Sequence, residues 1–201
     1  MLVLLILFIF PLAVYGQKGG DWQFSASAGA NIASMDAKMQ MWDGDSGNME
    51  DYTGYVGAES HFALKIGRIE TSYNLQYYFA KKDGKTVIDG VEKTEVGDID
   101  FYNELIDVSY YILDEPILTG FTFNVGIGKG TTRIEVERTI DGVEQAEVRM
   151  YGKVLHYFGS LHYEILDWLF AKATYRALNI NTVDQPNFSN SSYTLNLGVK
   201  F

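Results

Sequence analysis

The sequence predicts an all-β chain: an eight-stranded antiparallel up-and-down transmembrane β-barrel with short periplasmic turns and long extracellular loops. Apolar and polar residues alternate with period 2 through most of the chain, and no segment after residue 16 approaches the ~18 consecutive apolar residues of a spanning helix. Only helices and closed barrels satisfy their backbone inside a bilayer, so a chain of such strands crosses it as a barrel. Short connections (67–68, 114–116, 166–168) also alternate with long polar ones (35–52, 81–100, 129–150, 180–191), the asymmetry expected of periplasmic turns and external loops. Finally, Tyr193, Leu195, Leu197, Val199 and Phe201 alternate with Thr194, Asn196, Gly198 and Lys200, a strand that needs a partner on each side.

Composition narrows the rest. At 201 residues, 47% apolar and 14% aromatic, the chain is one ordinary domain. Net charge −10, from 16 Lys plus Arg against 26 Asp plus Glu, argues against a nucleic-acid partner, which needs a basic face. With no cysteine, a disulfide framework, a thiolate metal site and a Cys nucleophile are all excluded. Residues 1–16 read as a secretory signal: an apolar run broken by Pro11, too short to span, with small residues before Gln17 and no Lys or Arg ahead of it. The mature barrel domain is then residues 17–201.

The first strand, residues 22–32, sets Trp22, Phe24, Ala26, Ala28, Ala30 and Ile32 against Gln23, Ser25, Ser27, Gly29 and Asn31. The segment around Asp36, Asp43, Asp45, Glu50 and Asp51 has no period and reads as an acidic loop. The second strand, 53–66, turns through Gly67-Arg68, where a glycine at the first central position suits a type II′ turn. Pairing Ile66 with Ile69 sets Lys65 beside Glu70, Phe62 beside Tyr73 and Ser60 beside Leu75. The third strand, 69–80, leads to Ile88-Asp89-Gly90-Val91, a type I′ signal, and pairing outward from it sets Tyr77 opposite Tyr102 and Ile69 opposite Tyr110. Glu104 then falls on the apolar face opposite Leu75 and is expected at the headgroup rim or at a bulge.

The fourth strand ends near Leu113, before a turn at Asp114, Glu115 and Pro116. The fifth, 119–128, has a glycine-rich inner face that leaves lumen space for longer side chains opposite. A second hairpin turns at Ile140-Asp141-Gly142-Val143, and residues 88–96 recur as 140–148 with seven identities in nine, a duplicated tip. The sixth strand turns Leu155, Tyr157, Leu161, Tyr163 and Ile165 outward. Counting from the tip would set Ile127 opposite inward His156, so one bulge is required, expected at Gly128-Lys129-Gly130 or at Gly152. The seventh strand turns Lys172, Thr174 and Arg176 inward, and the eighth follows a loop punctuated by Pro186.

A closing amphipathic strand ending on Phe resembles the terminal strand of outer-membrane β-barrels, which their assembly machinery reads. The resemblance makes Tyr193, Leu195, Leu197, Val199 and Phe201 the expected assembly signal. Residues 21–201 as a whole resemble the small outer-membrane barrels typified by the membrane domain of outer membrane protein A and by outer membrane proteins X and W. The resemblance implies a monomer in the cell outer membrane of a Gram-negative envelope, contacting outer-membrane lipid and lipopolysaccharide. A soluble lipocalin-like barrel shares the alternation and stays open on that evidence alone, while the loop asymmetry, aromatic strand ends and final Phe favour the membrane barrel.

The predicted inner face collects Glu59, His61, Lys65, Glu70, Asp107, His156, Ser160, His162, Glu164, Lys172 and Arg176. Ser160 with His156, His162 and Glu164 has the residue types of a hydrolytic triad, but His162 counted opposite Lys172, with Glu164 diagonal to it, describes an ion-paired plug as well. The plug is the favoured expectation, with no catalytic residue. Glu59, His61 and His156 lack any metal-ligand spacing, and the acidic loop has an Asp-x-Asp start without the remaining positions of a Ca²⁺ site, so neither metal nor cofactor is expected. The expected role is structural or surface-interacting, through external hairpins whose edges could recruit a protein partner. A narrow channel for small solutes and a lipid-modifying enzyme are the alternatives.

Overall fold

The computed structural model describes residues 22–36, 38–42, 45–48, 53–113, 120–182 and 188–201. Eight strands within them form the barrel: β1 (Trp22–Asp36), β2 (Thr53–Ile66), β3 (Ile69–Ile88), β4 (Val91–Leu113), β5 (Phe121–Ile140), β6 (Val148–Leu166), β7 (Leu169–Thr182) and β8 (Phe188–Lys200). Each pairs antiparallel with its neighbours, and β8 also pairs with β1, Ala26 facing Val199 and Ile32 facing Tyr193. Closure satisfies the ladder on both sides of every strand within the ring, which a sheet in lipid requires. A short hairpin, Lys38–Trp42 with Asp45–Asn48, follows β1. The expected signal segment, the 114–116 turn, Pro186, and the side chains of the acidic 35–52 segment lie outside the described residues.

The registers counted from the turns are the observed ones. Gly67 has φ 56, and Ile66 faces Ile69, Lys65 faces Glu70 and Phe62 faces Tyr73. Asp89 and Gly90 have φ 52 and 76, and Asp141 and Gly142 have 49 and 78, so both repeated tips turn through two left-handed residues, as a type I′ turn requires. From Ile88 opposite Val91 the β3–β4 ladder runs unbroken to Ile69 opposite Tyr110.

Three expectations are corrected. The segments 81–100 and 129–150 are not loops: β3, β4, β5 and β6 continue through most of them as one sheet, with Glu95 opposite Ile140. Of the two places expected for Glu104, the bulge is ruled out: it sits in an uninterrupted ladder between Leu75 and Thr131, outward-facing and exposed. The extra residue between β5 and β6 lies at the tip. Thr139 faces Glu144 and Gln145 N donates to Arg138 O at 2.8 Å, whereas Val136 already faces Val148. From there the ladder is continuous, with Gly128 opposite His156. The tip is the cheaper place for the irregularity because an unpaired backbone group there meets water, not lipid.

Burial inverts the pattern of a soluble barrel. Leu195 is 66% exposed and Ile32 63%, while Lys172 and Arg176 are 0%. A soluble barrel would hide the former and solvate the latter, so the outward face is the lipid face. Aromatic pairs mark its two levels: Phe121 with Tyr163 (centroids 4.7 Å apart) near the short turns, and Tyr77 with Tyr102 (5.1 Å) and Tyr175 with Tyr193 (5.0 Å) toward the long hairpins.

Candidate functional site: the barrel interior

Inward parity brings side chains from all round the ring to one level. Arg176 on β7 reaches across the lumen, its guanidinium donating to Glu59 Oε2 on β2 at 2.6 Å and to Asp107 Oδ2 on β4 at 3.2 Å. It also bonds Asn74 Oδ1 at 3.3 Å and lies over the Phe158 ring, 5.4 Å from its centroid. Gln76 (2.6 Å) and Asn196 (2.9 Å) donate to Glu59, and Asn74 donates to Asp107 at 2.8 Å. His156 Nε2 is 2.8 Å from Asp107 Oδ1. Burying such charges is costly, and the arrangement is tolerable because Glu59 meets Gln76 and Asn196, and Asp107 meets Asn74, in addition to the guanidinium.

A second group lies nearer the short turns. Lys172 Nζ is 3.1 Å from His61 Nε2 and 3.5 Å from Glu70 Oε1. Because the ammonium can only donate, His61 accepts through Nε2 and carries its proton on Nδ1, 2.5 Å from Asn74 Oδ1. Tyr111 donates to Glu70 Oε2 at 2.7 Å and lies 3.5 Å from His162 Nε2, with Lys65 over its ring at 4.3 Å. Lys200 pairs with Glu164 at the rim.

Small residues make room for these chains. A Cβ on Gly128 would lie 2.2 Å from Asp107 Oδ1 and 2.4 Å from His156 Cε1, so the Asp107–His156 contact occupies the space that any other residue would need. Gly128 is therefore a packing requirement of the polar layer, not the site of a bulge.

The structure distributes the sequence-selected residues unevenly. Glu59, Asp107, His156 and Arg176 meet in one group; His61, Glu70, Lys172, Lys65 and His162 meet in the other. His162 is opposite Lys172 in register, but that ammonium turns to His61 and Glu70, and Glu164 pairs with Lys200. Ser160 Oγ shares a 3.0 Å hydrogen bond with Thr174 Oγ1, so no Ser–His couple forms through it. His61 and His156 serve different partners and do not converge as ligands. Asn74, Gln76 and Tyr111 went unselected although they share Glu70's parity or stand beside it on the neighbouring strand.

Sequence parity also missed what lies outside this polar layer. Tyr78, Ile99, Phe101, Leu105, Ile134, Val136, Met150, Val154, Leu178 and Ile180 form a buried apolar cluster inside the barrel toward the long hairpins. Reading 81–100 and 129–150 as loops hid its Ile99, Ile134, Val136 and Met150, because the inward parity of β4 to β6 was not carried through those segments. Farther out still, buried Glu95 lies 2.7 Å from Lys82 Nζ and 2.5 Å from Arg138 Nε.

Comparison with known proteins points the same way on fold. No family model matches the chain, and no curated protein matches it. Among solved structures it is similar to Neisserial surface protein A, at 12% identity and TM-score 0.58, over 90% of this chain and 98% of that one. It is similar to Ail, the attachment invasion locus protein of Yersinia pestis, at 10% identity and TM-score 0.54, over 90% and 99%. A major outer membrane protein from Thermus thermophilus matches at 13% identity and TM-score 0.55, over 90% and 99%. The chain therefore has the fold of the small eight-stranded outer-membrane barrels.

Proposed function

We propose that this protein is an outer-membrane barrel with a closed interior that acts at the cell surface through its projecting hairpins, as a structural or interaction protein and not as an enzyme or a channel. The observation that carries the reading is the filled interior: a fully buried Arg176 clamping Glu59 and Asp107 across the lumen, with the Phe101 and Ile134 layer above it. A lumen closed by charged hydrogen-bonded pairs at one level and by apolar packing at another has no continuous path for solute. Ser160 held by Thr174 supports a lumen without catalytic chemistry. The surface role is supported by the continuous four-stranded extension of β3 to β6, and two similar folds belong to proteins described as a surface protein and an attachment invasion locus protein. The extension's outer strands offer backbone edges to an extended protein partner.

In this reading Tyr193, Leu195, Leu197, Val199 and Phe201 present the strand that the assembly machinery recognises, and the barrel is monomeric. Phe201→Ser should lower membrane levels of the protein, and normal levels would show that the strand is not read this way. Planar-bilayer recording on the refolded protein tests the closed interior: no unit conductance is expected, and reproducible unit conductance would establish the channel instead. Lipid A of unchanged mass after expression is expected of a barrel that modifies no lipid.

A further inference from the structure

The outward face of β4 to β7 changes character sharply at one level. There Ile106, Lys129, Leu155 and Asn179 stand in one row across four strands, and Glu104, Thr131, Lys153 and Asn181 stand in the next row outward. Below them the face is apolar, with Val108, Ile127 and Tyr157 exposed to lipid. Lys129 and Lys153 lie diagonally on adjacent strands, and with Thr131, Asn179 and Asn181 they line an open groove of about 800 Å³ whose floor includes Ile106 and Leu155.

What separates these two lysines from the outward cations of the long hairpins is their lack of a carboxylate. Lys81 pairs with Asp98, Lys85 with Glu92, Arg133 with Glu135, and Arg149 with Glu135 and Glu147. Among the described residues no carboxylate lies within ion-pair distance of Lys129 or Lys153. Glu104 stands between Leu75 and Thr131 in the ladder and pairs with neither lysine. In a chain of net charge −10, two unpaired ammonium groups set together at the top of a lipid-facing band call for an anion from outside the protein.

Resting on the membrane-barrel reading above, we infer that this groove seats the phosphorylated headgroup of an outer-leaflet glycolipid. The lysines receive the phosphate, Asn179 and Asn181 offer amides to sugar hydroxyls, and the acyl chains descend over Leu155, Ile127 and Tyr157. Long Lys stems suit this place, since they can lie along apolar surface while the ammonium reaches the interface. The fit is to a phosphate carried on an acyl anchor, because the apolar floor would be wasted on a free ion.

The test titrates the refolded wild type and the K129Q/K153Q variant with purified phosphorylated lipopolysaccharide, with the same lipid after phosphate removal, and with inorganic phosphate, reading bound mass by native mass spectrometry. Wild type should hold the phosphorylated lipid about 25-fold more tightly than the variant, two charges at about a factor of five each. The two proteins should bind the dephosphorylated lipid alike. K81Q/K85Q, which alters lysines already paired, should stay within about twofold of wild type. Equal affinity of wild type and K129Q/K153Q for the phosphorylated lipid, an equal loss in K81Q/K85Q, or binding of inorganic phosphate as strong as of the lipid would each overturn the proposal. Absence of a heat-dependent mobility shift in the wild type would instead remove the membrane reading on which it rests.

Discussion

Glu95 and Glu147 hold the same place in a repeated sequence and finish on opposite faces of the same sheet. Both tips turn through Asp-Gly pairs of matching φ, so the turns do not separate them. The difference is one residue. On the first tip the ladder is unbroken, and Glu95 points inward to Lys82 and Arg138. On the second the extra residue within 145–147 reverses parity, and Glu147 lies exposed beside Arg149, whose Nε is 2.6 Å away. A duplicated sequence thus supplies a turn twice, while its side chains take their environment from the register of the strands below.

That contrast orders the expected effects on stability, read by urea unfolding in lipid bilayers. Glu95→Gln removes the buried carboxylate that Lys82 and Arg138 share and should cost about 3 kcal/mol. Gly128→Ala forces a Cβ into the Asp107–His156 contact and should cost about 2 kcal/mol; a silent substitution would return the bulge to β5. Gly90→Ala and Gly142→Ala remove the residue suited to φ 76 and φ 78, and should cost about 1 kcal/mol each and equally, since the turns are alike. Glu147→Gln breaks only an exposed pair and should change stability by less than about 0.5 kcal/mol. A Glu147→Gln loss as large as that of Glu95→Gln would contradict the assigned faces.

The fold was legible because alternation and turn chemistry are local. Gly67-Arg68 sets a register that holds as far as Val56 opposite Phe79, Asp89-Gly90 one that holds over its whole hairpin, and the face of each membrane strand follows by counting. The need for a bulge was legible too, from the parity clash between Ile127 and His156. Its position was not, because glycine in a strand signals either a bulge or a close approach, and only the side chains opposite decide. In the interior, parity put Glu59, Asp107 and Arg176 on one face, but which acid meets which base depends on reach across the lumen. Lys172 passes over its register partner His162 to reach His61 on β2, a strand not adjacent to β7. The apolar layer was hidden by polar composition: apart from the inward Lys82, Glu95 and Arg138, the charged residues of 81–100 and 129–150 mostly face outward or sit at the tips, while Ile99, Ile134 and Val136 alternate with them.

The central claim is that two levels of the interior close this barrel independently. It is tested most directly by bilayer recording on Arg176→Ala, with insertion verified by the heat-dependent mobility shift. The variant should be less stable than wild type and should still show no unit conductance, because Phe101, Ile134 and their neighbours fill the lumen above the lost guanidinium. Reproducible unit conductance from this single substitution would contradict the account, leaving the Arg176 clamp as the barrel's sole gate.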